Sequence, residues 1–290
     1  MKSGRTALIV IVANWHAFIE LAEMIRYSLV NKMGFDRVDI VDDKDITLPV
    51  ARYTLNFVIK SFRPFNSGLL NGHRLIFQTE ECWNDRENGM YRGDLHSGYD
   101  RTLEMYDENL KLRNTDTVVY CPVGYSPVWE RDLPRVDEDI DIFFHGSLTP
   151  RRRLFLSSLA QEGYTVRESS SVWGEERGKL IMRSKIVINV KASDRWSFGP
   201  LHCLPSQANK KFIMAEKANG GYGPFVPNRH FIEYNNLSDC KDKVKYWLDQ
   251  GREKRDEFAL SAYNDMVKTC DFTDILKRAL ESDKGGKKFL

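Results

Sequence analysis

Three consecutive arginines close the segment Asp141-Ile-Phe-Phe-His-Gly146-Ser147-Leu-Thr-Pro-Arg151-Arg152-Arg153. Its apolar run reads as a buried strand ending at Gly146. Thr149 or Pro150 opens a helix, because proline is favoured in a helix's first turn. A helix start offers unpaired N–H groups and the positive end of the helix dipole, so it attracts phosphate. Arginines there oppose the dipole and cost stability unless an anion offsets them, and guanidinium groups donate in pairs to phosphate oxygens. The pattern therefore points to a diphosphate held by Gly146, Ser147, Arg151, Arg152 and Arg153, with a solvated basic turn as the plainer alternative. The chain has no G-x-x-x-x-G-K-[ST], so this is not a Walker loop.

A second segment, Asn209 to Gly221, places Glu216 on an expected short helix, Lys211–Asn219, stopped by Gly220-Gly221. A carboxylate accepts two hydrogen bonds at once, which suits the vicinal hydroxyls of a ribose, and Lys210 or Lys211 could reach a phosphate. Asn189 and Lys191 close the apolar strand Ile186–Val190 and join the same expected donor site. In the first half, Asn14-Trp15-His16 follows the first strand. His16 is a candidate general base because imidazole titrates near neutrality. Glu80 and Glu81 follow the strand Arg74–Gln78 and are the other candidates for deprotonating an acceptor hydroxyl. Asn14, Trp15, Tyr91 and Asp94 are the expected acceptor contacts. Asp43-Lys-Asp45, Asp137-Glu-Asp139 and Asp139-Ile-Asp141 could serve a divalent metal on a diphosphate, but the expectation is a site without metal.

The elements that must carry these groups follow from periodicity. Thr6–Ala13 is apolar and β-branched, as a strand buried on both faces requires. Ala17–Met33 has helical spacing and stops at Gly34, and Arg37–Val41 is the next strand. Val50–Ser61 fits helix or strand, Tyr99–Leu112 has helical periodicity, and Thr117–Cys121 is a strand closed by Pro122. The polar stretch Arg131–Asp139 is the expected domain linker, and after it the β/α pattern restarts. The fold class expected is α/β, with two Rossmann-like β/α/β domains facing a cleft. The expected division is 1–133 for the acceptor side, 140–270 for the nucleotide side, and 271–290 as a helix and tail packing back on the first domain.

Size and composition agree with this division. The 290 residues suit two domains of about 130–150 residues each. A net charge of +2 is too mild for a dedicated nucleic-acid binder. The five cysteines are scattered and form no C-x-x-C, which argues against a disulfide framework or zinc cluster and fits a reducing compartment. The apolar run Ala7–Ala13 is short for a signal peptide and lacks a cleavage site. No run reaches the ~20 apolar residues of a membrane span. The expected location is cytoplasmic. A dehydrogenase would need G-x-G-x-x-G after the first strand, and Ala13-Asn-Trp-His16 contains no glycine.

The second half resembles the nucleotide-binding domain of GT-B glycosyltransferases, especially the group containing spore-maturation-type enzymes. The resemblance rests on the Gly146-Ser147 turn before an arginine-bearing helix, on Ile186-Val-Ile-Asn189-Val, and on Glu216 standing five residues before Gly221. It implies a sugar transferase using a nucleotide sugar, UDP-linked by expectation, with Glu216 on the ribose and no cofactor beyond that co-substrate. The acceptor is expected to be cytosolic. A hydroxymethylated base of duplex DNA is one possibility, with Trp15, Trp83, Tyr91 and Trp196 stacking and Arg63, Arg92 and Arg195 steering. The alternatives are a non-catalytic nucleotide-sugar-binding module and a metal-dependent transferase acting on a small molecule or cell-envelope precursor.

Overall fold

The computed structural model describes residues 4–46, 53–60, 65–81, 98–112, 116–194 and 197–290. These fall into two compact units, one made of residues 1–123 and 272–290, the other of Gly124–Asp271.

The first unit opens with β1 (Thr6–Val12), α1 (Trp15–Met33) and β2 (Arg37–Asp42). From Ala7 to Val12, β1 is buried, as a run of β-branched and aliphatic residues demands of a strand with two covered faces. Phe18, Leu21, Met24, Ile25 and Leu29 form the buried face of α1, and Gly34 ends the helix in the left-handed region with its N–H on Leu29 O. Next come β3 (Leu55–Lys60), β4 (His73–Gln78), β5 (Arg101–Glu104), α2 (Asp107–Leu112) and β6 (Val118–Tyr120). The six strands lie in the order β2-β1-β3-β4-β5-β6, all parallel.

The second unit contains β7 (Ile140–His145), α3 (Pro150–Ala160), β8 (Val166–Ser169), α4 (Gly174–Met182), β9 (Ser184–Asn189), α5 (Pro200–Gln207), β10 (Ile213–Glu216), β11 (Ile232–Tyr234), α6 (Leu237–Asp249) and α7 (Gly251–Thr269). Its sheet runs β11-β10-β9-β7-β8, again parallel throughout. Parallel order brings every strand's carboxyl end, and the loop after it, to one edge of each sheet, where ligands bind in open α/β folds. The chain then returns to the first unit as α8 (Phe272–Glu281). There α8 buries Phe272, Ile275, Leu276, Ala279 and Leu280, and Thr273 meets Ser28 of α1 at 3.1 Å.

Three elements differ from the sequence expectation. The helix expected over 211–219 is the strand β10, because Phe212, Ile213, Met214 and Ala215 are all buried and a central parallel strand covers both faces. The helix preceding it is α5, and in the turn between the two Lys210 takes the left-handed region at φ 55°. The segment 99–112 divides into β5 and α2. The stretch 131–139, expected as a linker, lies inside the second unit. Its backbone is held by Arg131 N–H on Asn209 Oδ1 at 2.8 Å, and Glu138 is 5% exposed against Lys211 and Arg255. Among the described residues, no helix is long and apolar enough to cross a membrane.

The carboxyl-terminal tail is fastened by Arg101, the first residue of β5, which is 1% exposed. Its guanidinium donates to the carbonyl oxygens of Ala279, Leu280, Ser282, Lys284 and Lys287 at 2.5–3.2 Å, and it lies over the Phe289 ring at 4.6 Å. These include the carbonyls that a helix end leaves without intrahelical partners. Arg101→Met should lower stability by roughly 3 kcal/mol, since hydrogen bonds to a charged group count about 1.5–3 kcal/mol each and do not add fully. Urea unfolding monitored in the first unit checks this. An unchanged midpoint would show that the tail's own packing suffices.

Candidate functional site

The carboxyl edge of the five-stranded sheet collects the residues of the arginine segment. Thr149 caps α3, its Oγ1 accepting from Arg152 N–H at 3.3 Å, and Pro150 occupies the first turn. The three arginines then diverge. Arg151 forms a fork on Glu216, the last residue of β10, with Nη1–Oε2 at 2.9 Å and Nη2–Oε1 at 2.5 Å. It also donates to Lys191 O and to Asp194 Oδ1, both at 3.0 Å. Glu216 accepts a further hydrogen bond from Lys191 N–H at 3.0 Å. Arg152 turns inward and is 3% exposed. It donates to Val190 O and Ser147 O, each at 2.8 Å, and to Ser147 Oγ at 3.2 Å, with Phe144's ring 5.2 Å from its guanidinium carbon. Burial pulls its pKa down to about 10, which still leaves it charged at neutral pH. Arg153 is exposed.

Beneath the Gly146–Ser147 turn lie two histidines. The ring of His202, in α5, meets His145 O through Nδ1 at 3.2 Å, and the two imidazole centroids are 5.7 Å apart. Burial, reinforced by Arg152, lowers His202 to about 4. Burial and the nearby Arg177 and His202 hold His145 well below its ordinary value. Both rings are therefore neutral at physiological pH, and the cationic charge of this floor belongs to Arg152 and Arg177. Gly146 sits at φ 130°, and a Cβ there would fall 2.6 Å from His202 Cε1, so only glycine fits the turn. Asn189 donates through Nδ2 to Cys203 Sγ at 3.3 Å, and its carbonyl accepts from Tyr234 OH at 2.7 Å. Its role in the geometry is to tie β9 to α5 and β11.

Gly146, Ser147, Arg151, Asn189, Lys191 and Glu216 thus share one edge. Lys210 and Lys211 do not. They precede β10, at the opposite edge of the sheet from Glu216. Lys211 is 6% exposed and gives its Nζ to Glu138 Oε1 at 2.6 Å. Lys210 Nζ lies 4.7 Å from the centre of the Tyr263 ring. Glu216 ends a strand rather than sitting on a helix, and both its oxygens are engaged. Asp139 and Asp141 are likewise committed at that opposite edge, to Arg183 and Lys185. Sequence reasoning missed Asp194, His202 and Arg177. A histidine following the Gly199-Pro200 helix start was the one local signal available for His202.

In the first unit, Asn14, Trp15 and His16 follow β1, and Glu80 and Glu81 follow β4, all at the carboxyl edge of the six-stranded sheet. Two strand spacings separate them, about 10 Å. His16 is exposed in the first turn of α1, and Ala13 and Asn14 both adopt positive φ, 60° and 53°. Glu81 is 6% exposed. Glu104, the last residue of β5, is fully buried and was not foreseen. Asn109 Nδ2 bridges Glu104 Oε1 at 2.6 Å and Glu80 O at 2.9 Å, so Glu104 helps to fix the turn that carries the two glutamates. Burial raises Glu104 to about 8 against the opposing hydrogen bonds of Asn109 and the backbone. Tyr91 and Asp94, with Arg63, Trp83, Arg92, Arg195 and Trp196, lie outside the described residues.

Known structures share this architecture. A glycosyltransferase of Rickettsia africae ESF-5 matches 96% of the chain over 97% of its own, with a TM-score of 0.64 and 13% identity. HepE of Anabaena, solved in complex with UDP, matches 96% over 98%, with a TM-score of 0.62 and 9% identity. Sucrose-phosphate synthase of Thermosynechococcus elongatus matches 96% over 97%, with a TM-score of 0.63 and 10% identity. The chain has the GT-B glycosyltransferase fold. No protein-family model matches it. Among curated proteins it is similar to uncharacterized proteins of Acanthamoeba polyphaga mimivirus. One is 32% identical over 112 residues, 36% of this chain and 37% of that protein. Another is 28% identical over 163 residues, 51% of this chain and 22% of that protein. The chain thus spans well under half the length of these curated relatives.

The state of Glu104 sets a pH dependence. Its folded-state pKa, about 8, lies above an ordinary glutamate's 4.5. The folded protein therefore holds the proton more tightly than the unfolded chain. The stability this adds is whole below about pH 4.5 and is lost as the pH rises towards 8, by on the order of 5 kcal/mol at most. Glu104→Gln, which has no proton to lose, should show a flatter stability profile over that window in denaturant titrations at several pH values. Equal slopes for the two proteins would place the ionisation elsewhere.

Proposed function

We propose that this protein is a glycosyltransferase that takes a sugar from a nucleotide-sugar donor, UDP-linked, bound at the carboxyl edge of the five-stranded sheet. The observation that carries the reading is the convergence of Arg151, the buried cation Arg152 and the Gly146–Ser147 turn at the head of α3, within a GT-B fold. A diphosphate placed there meets the positive end of α3 and guanidinium charge held in place before the ligand arrives. Charge building on the leaving diphosphate is stabilised by groups that need not reorganise. Structures of HepE with UDP and with UDP-glucose support the nucleotide class.

On this reading the acceptor belongs to the first unit, whose carboxyl edge presents His16, Glu80 and Glu81. Any of the three can take a proton from an acceptor hydroxyl. The acceptor we propose is a hydroxymethylated base of duplex DNA. Trp15, at the head of α1, is the described member of the aromatic set that suggests it. The protein acts in the cytoplasm, without a metal.

Thermal unfolding against nucleoside diphosphates and nucleotide sugars, each with EDTA and with Mg²⁺, tests the donor site. A ligand at 100 times its Kd should add about 2.7 kcal/mol. Stabilisation by a UDP-sugar in EDTA is expected. Stabilisation only with Mg²⁺ would replace the metal-free reading, and no response to any nucleotide would overturn the donor site. The acceptor is tested by gel shift with duplex DNA. Binding that weakens steeply with salt is expected, and its absence at low salt would remove DNA from consideration.

A further inference from the structure

Arg151 pairs with two carboxylates of opposite character. Glu216 is 4% exposed. Its fork is bidentate, and Lys191 N–H fixes one of its oxygens from behind. Asp194 is 89% exposed and meets Arg151 through one hydrogen bond, Nε–Oδ1 at 3.0 Å. Ion pairs of the second kind are weak and readily exchanged, because water competes for both partners. Those of the first kind are not, because breaking them strands a buried charge. Four of the five N–H donors of Arg151 are engaged in this arrangement, by Asp194, Lys191 O and the two oxygens of Glu216.

The loop that carries Asp194 is anchored by other groups. Lys191 Nζ donates to Asp194 O at 3.2 Å, and Asn219 Nδ2 donates to the same carbonyl. The backbone at 194 is thus tied down independently of its own carboxylate. A side-chain anion is held against the guanidinium at the head of α3, on a backbone that does not need that anion for support.

We propose that the Asp194 carboxylate is an internal stand-in for a phosphate of the donor: it occupies the Nε edge of Arg151 and is displaced by the incoming nucleoside diphosphate, while Glu216 stays in place to orient the guanidinium. This rests on the donor-site reading above. Glu216 is then a positioning residue that acts through Arg151, and Asp194 sets the affinity of the site by competing with the ligand.

The test is isothermal titration of UDP and of inorganic pyrophosphate into the wild type, Asp194→Asn and Glu168→Gln. Glu168 is an exposed carboxylate on β8 of the same sheet. Its substitution removes one negative charge there without touching the Arg151 hydrogen bonds. Asp194→Asn should bind both probes about two- to five-fold more tightly than wild type, the worth of one exposed ion pair, and Glu168→Gln should not. An Asp194→Asn protein that binds equally or more weakly would overturn the proposal, and so would an equal gain in Glu168→Gln, which would reduce the effect to general charge. If neither probe binds the wild type or Asp194→Asn, the donor site itself is wrong, a failure distinct from the other two.

Discussion

The guanidinium of Arg151 reaches from the head of α3 to the last residue of β10 and to the backbone just past β9, and the shape of the carboxyl edge depends on it. Residues adjacent in a helix lie about 100° apart around its axis, which is why three identical side chains in one turn meet three different environments. Arg151 lies over the edge and is forked by Glu216. Arg152 points into the unit and is held by carbonyls at the ends of β9 and of the Gly146–Ser147 turn. Arg153 is left in solvent. The dipole mismatch that three arginines create is therefore relieved for Arg151 by a carboxylate. For Arg152 the compensation is by carbonyl dipoles, which lower the cost of a buried cation without cancelling its charge. What remains is a positive floor under a glycine turn, the electrostatic feature on which the proposed donor site rests.

How much of this was legible in the sequence differs by element. The strand–glycine–helix order around Gly146 was readable because each transition has its own local chemistry: a β-branched and aromatic run, a residue without Cβ, and a threonine–proline helix start. That Arg151 and Glu216 meet was not readable. The carboxylate was expected on a helix, since Lys211 to Asn219 mixes polar and apolar residues at a spacing that periodicity alone assigns either way. The tertiary context decides it. Phe212 to Ala215 lie between β9 and β11 with both faces covered, and a strand is what covers both faces. Lys210 and Lys211 then fall at the opposite edge, where Lys211 serves a buried cluster with Glu138 and Arg255. Burial alone would raise the pKa of Glu138, but the hydrogen bonds of Lys211 and Arg255 outweigh it and keep the carboxyl ionised. A lysine next to a glycine-like turn looks the same in sequence whether it faces a phosphate or a buried glutamate.

The strand β5 shows the same limit in its sharpest form. It reads Arg101-Thr-Leu-Glu104, two charges flanking two smaller residues, and nothing in that pattern suggests a strand whose every residue is buried. Two charges can occupy a dry strand only if each is dealt with separately, because they sit at opposite ends of it and cannot pair. Arg101 keeps its charge and spends its donors on the carbonyls of the returning carboxyl-terminal segment, a partner 178 or more residues away in sequence. Glu104 instead holds its proton near neutral pH. Both solutions depend on chain that arrives from elsewhere, so no local window of sequence could have revealed them. They also have different consequences. A cation satisfied by carbonyls is insensitive to pH and locks the tail to the sheet. A carboxylic acid kept neutral beside Glu80 and Glu81 leaves that carboxyl edge of the six-stranded sheet less negative than its composition implies.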